Sequence, residues 1–293
     1  MKRIFLFVLT NMLIMVTLMI VLSVLGVTGY VTADGLNYGA LMVFSLVWGF
    51  GGAFISLAIS RWAAKTAMGV QLVNGRTGQA ELDWLYQTVE QLTRKAGLPM
   101  PEVGVYNSPE VNAFATGPSK SRSLVAVSSG LLQGMRREEV EGVLAHEVSH
   151  IQNGDMVTMT LIQGVVNAFS IFFSRVIANI IRQVVDERIS TLVYFVATIV
   201  FDIIFTLLGM IVVAWFSRAR EFRADAGAAT LSSRNNMIAA LQRLMANKEL
   251  VDNSQPQLAT MKINGVRSGL FALMSTHPPL EARIAALQRP QLR

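Results

Sequence analysis

Long apolar runs and short polar stretches alternate along this chain and mark out its elements. Ile4 to Val27 carries no charged residue and exceeds the roughly 20 residues that cross a hydrocarbon core. Leu36 to Ser60 is a second uncharged run, and the loop between them holds Asp34 but no Lys or Arg. Lys2 and Arg3 precede the first run, and Arg61 and Lys65 close the second, so the positive-inside rule puts both ends of this hairpin in the cytoplasm. The first run is longer than the roughly 7 to 15 apolar residues of a signal peptide and lacks a small-residue cleavage site, which predicts a retained anchor. A second pair, Val157 to Ile181 and Leu192 to Phe216, flanks Arg182, Asp186, Glu187 and Arg188 and predicts another hairpin. Arg175 and Asp202 lie inside these runs at similar heights if the segments are antiparallel. Either they pair, or Arg175 snorkels while Asp202 faces a polar cavity.

Between the hairpins the pattern changes. Gln79 to Ala96 has Leu82, Leu85, Val89 and Leu92 at helical spacing and stops at Gly97 and Pro99. Glu102 to Tyr106, Val111 to Thr116 and Ser123 to Ser128 are extended candidates that predict a small sheet, and a helix begins near Arg137. The expected organisation is a transmembrane hairpin over 1–61, the first part of a cytoplasmic domain over 62–156, a second hydrophobic hairpin over 157–216, and the rest of the cytoplasmic domain over 217–293. The fold class is a mainly α membrane protein with an α+β soluble part.

Composition sharpens this picture. Of 293 residues, 52% are hydrophobic and only 15% charged, where a soluble domain carries about 25%. The absence of cysteine excludes disulfides and thiolate metal sites, leaving His, Asp and Glu as ligands. The segment 62–156 is nearly balanced, with eight Lys or Arg against ten acids, and most of the net charge of +6 lies in the tail from Ser217, which has eleven basic residues against five acidic. That distribution speaks for orientation against a lipid bilayer and against a nucleic-acid partner.

The chemistry centres on His146-Glu147-Val148-Ser149-His150. Histidines at i and i+4 share a helix face and can chelate one Zn²⁺, with Glu147 turned aside to take a proton from bound water. Given three histidines and twelve glutamates, this spacing arises by chance in about one such sequence in 800. A further protein ligand is needed, and a third histidine at the position expected in the extended motif is replaced by Met156. The segment from Ser217 to Leu231 reads as a helix rich in small residues, with Glu221 and Asp225 on one face. Glu221 is the candidate third ligand, with Asp225 behind it accepting from a ligating imidazole; the alternative is surface ion pairing with Arg218 or Arg223. Two crossings by the second hairpin would return Glu221 to the side of the histidines. His277, before Pro278 and Pro279, either hydrogen-bonds an oxyanion or a ligand side chain, or is a turn residue. Asn112, Ala113 and Phe114, in the segment Val111 to Gly117, offer either an edge to which an extended peptide can add or an internal strand.

These features together resemble the HtpX family, the heat-shock membrane zinc endopeptidases of bacteria, and more distantly the CaaX prenyl endopeptidases of eukaryotes. The resemblance runs over the paired N-terminal spans, Val111 to Gly117, the His146-Glu147-x-x-His150 helix with Asn153-Gly154-Asp155, Arg220-Glu221-Phe222-x-Ala224-Asp225, and His277-Pro278-Pro279-Leu280. It implies a zincin-type metalloprotease domain with one Zn²⁺ on His146, His150 and Glu221, and Glu147 as catalytic base. It further implies a multi-pass protein of the bacterial inner membrane, active site and termini facing the cytoplasm, that degrades damaged or misassembled membrane proteins alongside other quality-control proteases or regulators. Whether 157–216 is fully embedded is left open by Arg175 and Asp202.

Overall fold

The computed structural model describes residues 2–27, 29–32, 35–254 and 273–289. The predicted loop residue Asp34 lies outside them. The chain divides into two compact units, one of Met1–Leu57 and Thr158–Val213, the other of Ala58–Val157 and Ala214–Arg293.

The first unit is built from apolar helices. Helix α1 covers Lys2–Val24, a short antiparallel ladder pairs β1 (Val31–Thr32) with β2 (Gly35–Leu36), and α2 covers Tyr38–Met68. Among the described residues, α2, α6 (Asp155–Gln183) and α7 (Glu187–Leu231) are each long and apolar enough to cross a membrane. Their outer faces expose Leu46, Phe169, Val200 and Leu208, as lipid contact requires. Small residues let the helices approach closely: a Cβ on Gly49 would lie 2.5 Å from the Ala168 backbone nitrogen, and one on Gly209 would collide with Val166. Arg175 and Asp202 do pair, with Arg175 Nη1 3.4 Å from both carboxylate oxygens, and Ser174 donates to the same carboxylate at 2.6 Å.

The second unit holds a four-stranded sheet of order β3-β4-β6-β5, formed by Gln71–Val73, Glu102–Tyr106, Arg122–Ser128 and Ala113–Ser119 respectively. The β4/β6 pair is parallel, and the β3/β4 and β5/β6 pairs are antiparallel. Strand β6 is buried on both faces after its first residue. Val125 and Val127 join Val103 against Leu85, Val89 and Leu92 of α3 (Ala80–Lys95), while Leu124 and Ala126 pack with Tyr106 and Phe114 on the other face. The sequence pattern predicts β5 as Val111 to Thr116. The strand instead runs through Gly117 and Pro118 with a register shift between Thr116 and Ser119, because an edge strand tolerates a bulge and a missing N–H.

Ser128, at the end of β6, caps the short helix α4 (Ser129–Gly134) by accepting from the Leu131 N–H. Its hydroxyl also donates to the Glu110 carbonyl at 2.6 Å and accepts from the Asn112 N–H at 3.1 Å, tying the approach to β5 in place. Helix α5 (Arg137–Asn153) is the core element, with Val140, Val143, Leu144, Ala145, Val148 and Ile151 buried. Glu139 begins it by accepting from the Arg136 N–H at 2.8 Å, and Gly154 ends it in the left-handed conformation, φ 71°. Gly142 lets α5 meet α8 (Arg234–Ser254) backbone to backbone: a Cβ there would lie 2.5 Å from the Asn236 carbonyl oxygen. The last described helix, α9 (Leu280–Gln288), buries Arg283 and Leu287. The helix predicted to start at Ser217 is the C-terminal part of α7, which has no Gly or Pro near Phe216 to interrupt it.

Candidate metal centre

The i, i+4 spacing on α5 stacks the His146 and His150 rings edge to face, centroids 4.5 Å apart, with their Nε2 atoms separated by 3.1 Å. Glu221 arrives from α7 and lies across both: its carboxylate oxygens are 3.5 Å from His146 Nε2 and 3.4 Å from His150 Nε2. The two helices come this close because Gly227 of α7 sits against Ser149, where a Cβ would overlap the serine hydroxyl. All three side chains are buried.

Each imidazole is oriented from behind. His150 Nδ1 lies 2.6 Å from Asp155 and His146 Nδ1 lies 3.0 Å from Asp225. Donation of Nδ1–H to a carboxylate leaves each Nε2 lone pair facing the common point. Asp225 is in turn gripped by Arg283 of α9, whose Nε and Nη2 donate to its two oxygens at 2.7 and 2.6 Å, while Nη1 lies 3.3 Å from Glu221. His277 Nδ1 lies 3.1 Å from Glu221 Oε2 on the open side of the cluster, 61% of its side chain exposed. Glu147 is half-buried beside the histidines.

Burial opposes charging of His146, but the hydrogen bonds to Asp225 and Glu221 outweigh it and raise its pKa. For His150, burial is likewise overcome by Asp155 and Glu221, and the group is pushed up to about 9. Burial also works against the Arg283 cation, and the Asp225 carboxylate more than offsets it. The charge of Glu147 helps raise all three, which places it within electrostatic reach of the cluster.

A divalent metal fits these residues. Ligand atoms at about 2.0 to 2.1 Å in a tetrahedral shell stand about 3.3 Å apart; the two Nε2 atoms are 3.1 Å apart, the Glu221 carboxylate presents Oε2 3.5 Å from His146 and Oε1 3.4 Å from His150, and one ligand atom from each of the three residues lies within 4.8 Å of the others. Among the described residues, Glu221 Oε1 is buried with no hydrogen-bond partner, a cost that a cation would offset. Glu147, Glu221 and Asp225 all act on the buried Arg283 guanidinium, Asp155 backs His150, and Arg220 Nε and Arg223 Nη2 lie 3.6 and 3.7 Å from Glu221 and Asp155.

Of the residues singled out from the sequence, His146, His150, Glu221, Asp225 and His277 come together, with Glu147 alongside. Asn112 lies just before β5, and Ala113 and Phe114 are its first two residues. Strand β5 is the sheet edge and packs against α5. The sequence reading assigned no part to Asp155 or Arg283. The available signal for Asp155 was its place immediately after a helix-ending glycine; nothing local marks Arg283.

Comparison with known proteins agrees with this geometry. Peptidase family M48 matches residues 79–291. Protease HtpX of Shewanella oneidensis is 52% identical over 295 residues, covering 98% of this chain and 99% of that protein, and the Protease HtpX homolog of Bacillus subtilis is 55% identical over 297 residues with the same coverage. The crystal structure of S. mikatae Ste24p shares the fold, with a TM-score of 0.58 at 20% identity, over 85% of this chain and 58% of that longer one. With its apolar helices and nearly full-length relatives, the chain belongs to peptidase family M48 and, within it, to the HtpX proteases, membrane metalloproteases.

Proposed function

We propose that this protein is a zinc endopeptidase of the bacterial cytoplasmic membrane that hydrolyses peptide bonds in cytoplasm-exposed parts of damaged or misassembled membrane proteins. The observation that carries the reading is the convergence of His146 Nε2, His150 Nε2 and the Glu221 carboxylate, each imidazole backed by a buried carboxylate. These three would hold one Zn²⁺, which supplies Lewis acidity toward the scissile carbonyl and toward the attacking water. Glu147 takes the proton from that water and later delivers it to the leaving amine. His277, exposed beside Glu221, donates to the oxyanion as it develops. Asp155 and Asp225 keep the imidazoles in the required tautomer, and Arg283 keeps Asp225 ionised and aligned. An extended substrate adds to the outer edge of β5, near Asn112, Ala113 and Phe114, where backbone hydrogen bonds align it along α5 irrespective of side chain. The orientation with both termini and the site in the cytoplasm rests on the basic flanks Lys2, Arg3, Arg61 and Lys65. Partners in this setting are membrane-protein substrates, the bilayer and other quality-control proteases or regulators.

The test is zinc content and cleavage of an unfolded soluble protein in detergent. Glu147→Gln retains zinc and loses at least about 100-fold in rate; Glu221→Ala loses both zinc and activity. Wild-type enzyme that hydrolyses at full rate without metal would sink the reading.

A further inference from the structure

The segment that carries His277 has little burial to hold it. None of residues 273–277 is buried, and the His277 ring is exposed. Downstream the chain is fixed, because Pro278 is buried and α9 follows, docked through Arg283 and Leu287. Upstream, Arg218 of α7 holds it. Arg218 Nη1 donates to the Leu273 carbonyl at 2.9 Å and to the Ser275 carbonyl at 2.7 Å, and the Ser275 hydroxyl donates to the His277 carbonyl at 2.9 Å. Three residues further along α7 stands Glu221, whose Oε2 is 3.1 Å from His277 Nδ1.

Side chains at i and i+3 share a helix face, about 4.5 Å of rise apart. Helix α7 therefore grips this strap at two places, the carbonyls of 273 and 275 and the His277 ring. A guanidinium only donates and a peptide carbonyl only accepts, so Arg218 reads the path of the backbone whatever side chains it carries. Among the described residues no carboxylate pairs with Arg218, in contrast to Arg220, Arg223 and Arg283. Hydrogen bonds from an ionised donor are about twice as strong as neutral ones, and both of these go to the strap. We infer that Arg218 is a positioning residue for the reaction: it fixes the upstream end of the strap so that the His277 ring faces the metal centre. The inference rests on the reading that His277 donates to the oxyanion, where a donor set in place beforehand costs no reorganisation during reaction. Without the Arg218 contacts, the turn at Ser275 and the contact to Glu221 are left to place an exposed ring, while His146 and His150 keep the carboxylates behind them.

Two readouts separate this role from a merely structural one. Full-length protein in detergent is assayed for zinc and for cleavage of an unfolded soluble protein as wild type, Arg218→Met, Arg218→Lys, His277→Ala, and Arg218→Met with His277→Ala. Arg218→Met keeps its zinc and a KM within about twofold and loses about tenfold in kcat, less than the 100-fold or more that follows loss of a whole oxyanion donor. Arg218→Lys, whose ammonium also has donors for both carbonyls, recovers part of that loss. In the His277→Ala background, Arg218→Met costs less than about twofold more, because the ring it positions is gone. The second readout needs no turnover. The chain has no cysteine, so Thr276→Cys, at an exposed position, takes a single spin label, and its spectrum sharpens when Arg218→Met is added. An unchanged label spectrum, an unchanged kcat, or a loss that recurs in full in the His277→Ala background overturns the inference. A wild type that cuts nothing, carrying a label that Arg218→Met still frees, would instead count against the protease reading alone.

Discussion

Replacing Arg283 by Met tests the idea that a short terminal helix holds the centre together. Arg283 is 6% exposed, and its guanidinium makes two charge-assisted hydrogen bonds of 2.6 and 2.7 Å to Asp225, itself 2% exposed. Such bonds contribute about 1.5 to 3 kcal/mol each, and removing one partner of a buried pair typically costs about 3 to 5 kcal/mol because the other charge is left uncompensated. Asp225 keeps the bond from His146 at 3.0 Å, so the lower end, about 3 kcal/mol, is expected. Asp225→Asn combined with Arg283→Met removes both charges and should cost less than the sum of the single changes, with a coupling of about 2 kcal/mol or more. Denaturant unfolding in mild detergent measures all four proteins, and zinc content follows the same order. A single Arg283→Met change that costs under about 0.5 kcal/mol, or strict additivity across the cycle, would refute the reasoning.

Asp155→Asn should lower zinc affinity by about 10- to 100-fold, read by competition with a chelator, since it removes the acceptor that orients His150. Gly142→Ala should destabilise by about 1 to 3 kcal/mol in thermal or denaturant unfolding, because its new Cβ meets the Asn236 carbonyl and only a shift between helices relieves it; Gly52→Ala, with nothing within 4 Å, is the neutral or stabilising control. After chelation, His150 has a folded pKa of about 9 against 6.5, so its contribution to stability is present below pH 6.5 and lost as pH rises through 9. The denaturation midpoint of the stripped protein should therefore fall over that window, and a slope unchanged in His150→Gln would contradict the assignment.

The parts of the site readable in the sequence are those governed by helix periodicity. His146 and His150, and again Glu221 and Asp225, are i, i+4 pairs, and such spacing fixes a shared face before any tertiary contact forms. Asp155 escapes that rule because Gly154 breaks the helix between it and His150, so its approach depends on one left-handed residue. Arg283 reaches Asp225 across 58 residues and stays buried only because the pair exists, which no local pattern announces. The sheet shows the same division. Alternation in Glu102 to Tyr106 and Ser123 to Ser128 marks β4 and β6, but their parallel pairing, with β5 displaced to the edge, is decided by the core beneath them. Strand β3, three residues long, is too brief to show a period and exists by pairing with β4. In the first unit, the apolar runs announced the long helices, while the pairing of Arg175 with Asp202 required their packing.

The centre draws on α5, the start of α6, the end of α7 and finally α9, in the order in which a ribosome makes them. Until translation has passed residue 283, Asp225 has no guanidinium to anchor it and Glu221 lacks both His277 and Arg283. A nascent chain of this protein therefore carries its histidines and carboxylates before the contacts that hold Asp225 and Glu221 in place are complete.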